Sequence, residues 1–230
     1  VRRLSTILMC FATFLMLTAC GKSVSAKLQP NNGGFNAVVT GKSKAKKVYW
    51  QVDDTIHSVK TTNETFTIKV PYQVKANRVT LSDQADLTNP TYLDGPKTTS
   101  LISWFNFIAQ YNPLAQKQGI GVFDTTPVIG IRTDQVDEQT AIAMNVSDSQ
   151  ILGISIKALD ATKNPLFKKY LTTFTTSLGT NTDTIDKLVT QAIKNPNQLK
   201  KTTNHGVLYT AITMTGQKQS ITQVSMSHAQ

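Results

Sequence analysis

The sequence predicts an α+β protein. It places a small all-β, sandwich-like module at residues 35–83 before an antiparallel-sheet domain with helices on one face at residues 100–230. Three observations carry this. Between Phe35 and Asp83, apolar residues recur at every second position in short runs separated by polar turns. Beyond Ser100, stretches with helical spacing interrupt runs that alternate. The later runs come in the order strands, helix pair, strands, which suits helices packed on one face of an antiparallel sheet.

In the first module, Phe35, Ala37 and Val39 alternate, and Gly41 opens a basic turn. Val48, Trp50 and Val52 alternate next and end at the turn residues Asp53-Asp54. Residues 56–59 form a further strand before Thr61-Thr62-Asn63. Phe66, Ile68 and Val70 alternate up to Pro71, and Val79 and Leu81 close the set before Ser82-Asp83. Trp50 shares a strand face with Val48 and Val52, which predicts a core position rather than a ligand-stacking one. Five short strands at near-regular spacing read as a sandwich-like unit. The pattern Phe66-x-Ile68-x-Val70-Pro71 followed by Val79-x-Leu81-x-Asp83 resembles the small Ig-like modules of bacterial surface proteins.

Residues 84–99 carry Asn89-Pro90 and Asp94-Gly95-Pro96 and read as a linker. Ser100 is then expected to cap a helix through Ile102, Phe105 and Ile108 that ends near Asn112-Pro113. Its apolar residues cover most of the circumference, which marks a buried or interfacial helix. Residues 119–126 read as loop or short strand. Val128, Ile129 and Ile131 begin a strand that ends at Arg132-Thr133-Asp134, and residues 140–146 and 150–158 form a hairpin around Ser147-Asp148-Ser149. Asn164-Pro165 is an N-cap followed by proline at the first helical position. That helix buries Phe167, Leu171, Phe174 and Leu178 and stops at Gly179. Thr182 or Asp183 caps the next helix, with Ile185, Leu188, Val189, Ala192 and Ile193 on one stripe and Asn195-Pro196 at its end. A hairpin of residues 207–213 and 220–226 closes the chain, with His228 in a terminal tail.

The first 19 residues read differently. Arg2 and Arg3 precede an apolar run from Leu4 to Leu17, too short for the roughly 20 residues that span a bilayer. The run ends in Leu17-Thr18-Ala19-Cys20, which resembles the lipobox of bacterial lipoproteins. That resemblance implies cleavage after Ala19 and a thioether-linked diacylglycerol on Cys20. It also implies a protein held at the extracytoplasmic face of the cell membrane. Residues 1–19 are then a lipoprotein signal peptide, and residues 20–34 the lipidated cysteine and a flexible polar tether. The other cysteine, Cys10, lies within the signal, so the mature chain has no partner for Cys20. Two acyl chains anchor stably where one binds only marginally.

The chain has 24 Lys and Arg against 14 Asp and Glu, a net charge of +10. Lysines cluster at Lys42, Lys44, Lys46 and Lys47, at Lys168 and Lys169, and at Lys200 and Lys201. Such a surface suits an anionic wall polymer, another envelope protein or anionic headgroups. Nucleic acid is not expected, because no aromatic-basic interleaving or binding motif occurs. The richness in Lys, Thr, Asn and Gln resembles exported proteins of Gram-positive bacteria.

Catalytic groups are sparse. His57, His205 and His228 lack metal-ligand spacing, so neither zinc nor any other cofactor is expected. Ser43-Lys44-Ala45-Lys46 matches Ser-x-x-Lys but sits in a basic turn, and Ser155 lacks the second glycine of a nucleophile elbow. The expectation is a binding or scaffolding module rather than an enzyme. Two alternatives stand beside it: an envelope enzyme using Arg132-Thr133-Asp134 and Asp137-Glu138, and a lipoprotein that excludes phage.

Overall fold

The computed structural model describes residues 23–29, 34–52 and 54–229. The lipobox, Ala19, Cys20 and Asp53 lie outside the described residues. The fold is α+β and mostly antiparallel, with fourteen strands and three helices among the described residues. These residues divide into two compact units. One holds residues 23–27, 39–52, 54–68 and 78–93; the other holds residues 28–29, 34–38, 69–77 and 94–229.

The first seven strands are β1 (Val24–Gln29), β2 (Asn36–Ser43), β3 (Lys47–Gln51), β4 (Ile56–Lys60), β5 (Thr65–Pro71), β6 (Arg78–Ser82) and β7 (Thr91–Asp94). They fall into a three-stranded sheet, β1-β2-β5, and a four-stranded sheet, β4-β3-β6-β7. β1 lies in the stretch expected to be a tether, and β7 in the stretch expected to be a linker. β1 forms because Val24, Ala26 and Leu28 alternate with exposed Ser25, Lys27 and Gln29. β2 runs past Gly41 to Ser43, and the basic turn begins at Lys44. β5 alternates throughout, with Phe66, Ile68 and Val70 buried between exposed neighbours. Trp50 is only half-buried. It pairs with Leu81 on one side and His57 on the other, and its ring stacks on His57 at 4.5 Å.

The second unit is built on a seven-stranded sheet. Its remaining strands are β8 (Ile102–Ser103), β9 (Gly130–Gln135), β10 (Thr140–Ser147), β11 (Gln150–Leu159), β12 (Lys200–Asn204), β13 (Val207–Thr215) and β14 (Ser220–His228). The order is β12-β13-β14-β11-β10-β9, with β8 added beside β11, and every pairing is antiparallel. Each half of the sheet is a meander, and the third strands of the two meanders meet at the centre. His228 ends β14 opposite Val207 rather than lying in a tail.

Three helices cover one face of this sheet: α1 (Trp104–Gln118), α2 (Pro165–Ser177) and α3 (Thr182–Lys194). Ile142, Met144, Ile154, Ile156, Val224 and Tyr209 point from the sheet into one cluster with Phe107, Tyr111, Phe174, Ile185 and Leu188 of the helices. The caps explain where the helices begin. Ser103, Asn164 and Asn181 each accept a hydrogen bond from the backbone N–H three residues on. Thus α1 starts three residues later than expected, because Leu101 and Ile102 are taken up in pairing with β11. It also continues through Pro113 to the left-handed Gly119. The carbonyl that loses its donor to Pro113 belongs to Ala109, an exposed residue on the solvent side of the helix, where the lost bond costs least. Asn112 further holds this turn through paired bonds to the Phe123 backbone, at 2.8 and 3.0 Å.

Candidate functional site

An open concave feature lies in the first unit, on the β1-β2-β5 sheet. It is an open groove of about 510 Å³ lined by residues 25–27 of β1, 40–42 of β2 and 65–67 of β5. Strand alternation sends Ser25, Lys27, Thr40, Lys42, Thr65 and Thr67 outward, while Val24, Val39, Phe66 and Ile68 are buried. Gly41 alternates with Thr40 and Lys42 and so faces Phe66 on the buried side. A Cβ there would lie 2.4 Å from the Phe66 ring and 2.5 Å from the Ser25 carbonyl oxygen, so only glycine lets the ring pack against the strand.

The groove's lining residues combine apolar Ala26 and Phe66 with Ser25, Thr40, Thr65, Thr67 and the two lysines Lys27 and Lys42, and none of them is acidic. Lys27 and Lys42 are exposed, and neither joins an ion pair among the described residues. Lys42 leads into the turn carrying Lys44, Lys46 and Lys47. This turn is fixed rather than loose. The Ser43 hydroxyl accepts from Ala45 N at 3.2 Å, Ser43 N donates to the Glu64 carbonyl at 2.9 Å, and the Thr61 hydroxyl donates to the Ala45 carbonyl at 2.6 Å. Ser43 is therefore a turn acceptor, not a nucleophile presented to solvent.

Arg132, Asp134, Asp137 and Glu138 lie at the other end of the chain's chemistry, at the β9–β10 edge. Arg132 Nε donates to Asp134 Oδ1 at 2.7 Å, and Asp137 accepts from Gln139 N and Thr140 N, which makes it the cap of the turn. Glu138 lines a separate depression of about 170 Å³ with Lys157 and Gln139. Asp134 and Asp137 are thus committed to local contacts. Asp160 and Asp86 are held below the usual carboxylate range by hydrogen bonds from Ser220 and Thr88 respectively, so both remain ionised near neutrality. Tyr209 is pushed up to about 12 by burial, partly offset by its 2.6 Å bond with Thr180, and stays neutral.

The histidines stand apart. His57 stacks on Trp50, His205 sits with Gly206 in the two-residue β12–β13 turn, both at positive φ, and His228 ends β14. Among the described residues, no three His, Cys, Asp or Glu side chains are placed to hold a metal. No helix among them is long and apolar enough to cross a membrane.

Compared with known proteins, the chain matches no family model, no curated protein and no solved structure. The site is thus defined by its own chemistry. Sequence reasoning located Lys42 and its turn but missed Lys27, which falls in the stretch taken for tether. The signal that could have found it is the alternation Val24-Ala26-Leu28 on the opposite face.

Proposed function

We propose that the protein is a lipid-anchored, extracytoplasmic binding module whose β1-β2-β5 groove takes an anionic envelope polymer, such as a polyol-phosphate chain. The observation that carries this is that four Ser and Thr residues and two lysines, neither in an ion pair among the described residues, are among the groove's lining and no acidic residue is. Phosphodiester oxygens accept from ammonium groups in charge-assisted bonds, and polyol hydroxyls exchange hydrogen bonds with Ser and Thr. An open groove on a sheet face suits a long chain better than a small enclosed ligand.

A sandwich-like, Ig-like module fits the first seven strands. Its support is the split into sheets of three and four, each with one buried face, and the buried Thr91 hydroxyl of β7 donating to the Val24 carbonyl of β1 at 2.6 Å. Lipid anchorage rests on the sequence Leu17-Thr18-Ala19-Cys20.

Each part has its test. The double variant Lys27→Gln/Lys42→Gln is expected to lose about tenfold in affinity for polyglycerol phosphate, roughly 1.4 kcal/mol. Added salt should weaken the parent in the same direction. Lys200→Gln/Lys201→Gln, on β12, should bind as the parent does; equal loss in both variants would point to general surface charge instead. For the anchor, Cys20→Ala should abolish fatty-acid labelling and release the protein from membranes. Labelling that persists in that variant removes Cys20 as the attachment point.

A further inference from the structure

We propose that β9 is a self-recognition edge, through which two copies of this chain pair antiparallel and join their seven-stranded sheets. Sheet edges expose unpaired backbone N–H and C=O groups, and proteins blunt them with lysine, proline, bulges or short strands. The two ends of this sheet differ in that respect. β12 carries Lys200 and Lys201. β9 is six residues long, Gly-Ile-Arg-Thr-Asp-Gln, with neither lysine nor proline, and it pairs with β10 in unbroken register from Gly130 to Gln135. Among the described residues nothing pairs with its outer side. Most of the strand is exposed, and its approach carries exposed apolar side chains, Ile129 at 63% and Ile131 at 41%.

Charge identifies the occupant as a second copy. β9 holds one cation and one anion two residues apart, Arg132 and Asp134, both on the sheet face that carries Ile142 and Met144. Place a two-fold axis through Thr133 and run a second β9 antiparallel to the first. Arg132 then lies directly opposite Asp134 of the other copy, and Asp134 opposite its Arg132. Directly opposed pairs on one face are the closest side-chain neighbours in a sheet. The ion pair seen within one strand, 2.7 Å between Arg132 and Asp134, becomes two pairs between strands. On the opposite face Ile131 is covered by Gln135 of the other copy. A slip by one residue sets the charges against neutral or apolar positions, so the charges select the register while the backbone bonds and Ile131 supply the attraction.

The test is charge swapping read by crosslinking of the full chain in membranes. Thr133→Cys puts one thiol on the axis, and a short bis-maleimide should link it to its own copy. The parent chain sets the background from Cys10 and Cys20, and Thr203→Cys on β12 serves as the edge control. In the Thr133→Cys chain, Arg132→Asp or Asp134→Arg alone should lower the crosslinked fraction about fivefold, because like charges then face each other across the axis. Coexpressing those two variants should restore it, since each then meets its opposite, and the double variant should restore it as well. Both charged side chains are substantially exposed, so the swap leaves the core untouched. The proposal is overturned if Thr133→Cys crosslinks no more than Thr203→Cys, or if the single charge variants crosslink as much as Thr133→Cys alone. The single charge variants are compared with Thr133→Cys alone, not with the background chain, and the proposal is equally overturned if the thiol captures a different protein in place of its own copy.

Discussion

Phe174→Ala lowers the unfolding free energy of the second unit by about 3–5 kcal/mol, the range for removing a buried phenyl ring. Phe174 is fully buried in α2 at the centre of an aromatic cluster. Its ring lies 4.9 Å from Tyr111, 5.9 Å from Phe107 in near-parallel stacking at 8°, and 6.3 Å from both Phe123 and Tyr170. Removing it opens a void between α1, α2 and the 119–129 loop that rigid neighbouring rings cannot collapse to fill. Phe174→Leu keeps most of the volume and should cost about half as much or less. Denaturant unfolding followed by Trp104 fluorescence measures this directly, because Trp104 packs 5.9 Å from Phe123 and 6.3 Å from Phe107 in the same cluster. A Trp50→Phe background removes the other tryptophan. A loss below about 1 kcal/mol would mean that the cluster is loosely packed.

Gly34→Ala is the second large effect, at about 3 kcal/mol or more. Gly34 has φ +71°, and a Cβ on it would lie 2.1 Å from the Leu152 carbonyl oxygen. Its own carbonyl accepts from the buried Asn145 amide at 2.8 Å, and Asn145 also donates to the Tyr72 carbonyl at 3.2 Å. Asn145 thereby satisfies backbone acceptors of two separate segments on the sheet face away from the helices. Adding a methyl at Gly34 pushes the 34–38 segment off β11 and strands that amide. Gly179→Ala supplies the comparison. Its φ of +67° is nearly the same, but nothing lies within 4 Å of the added methyl, so only the backbone preference of about 1 kcal/mol is lost. Thermal unfolding of the two variants side by side separates contact from conformation. Equal losses would show that close approach at Leu152 contributes nothing.

What the sequence disclosed follows from how burial is distributed. β5, β10 and β13 each have one apolar face, so their period of two is written in Phe66-Ile68-Val70, Ile142-Met144-Val146 and Val207-Tyr209-Ala211. The caps at Asn164 and the stop at Gly179 are local chemistry and equally legible. β12 is different. Lys-Lys-Thr-Thr-Asn has no apolar residue, and the strand exists only because β13 offers it a ladder. β7 and Gly34 were hidden for a related reason, since both owe their places to contacts distant in sequence. Pro113 misled because a proline ends a helix only where its missing bond matters, and here that bond lies at exposed Ala109. The groove combines residues from three strands up to 42 positions apart, Ser25 to Thr67, and no local pattern announces such a set. Its charge was visible in Lys42 and the turn after it; its shape required the fold.

The most direct measurement is an amide-resolved NMR titration of the protein with polyglycerol phosphate at low salt. Saturable shifts concentrated at residues 25–27, 40–42 and 65–67, and removed by Lys27→Gln/Lys42→Gln, are the result the groove predicts. Shifts spread evenly over Lys168, Lys169, Lys200 and Lys201 as well, or no shifts in β1, β2 and β5, would contradict it.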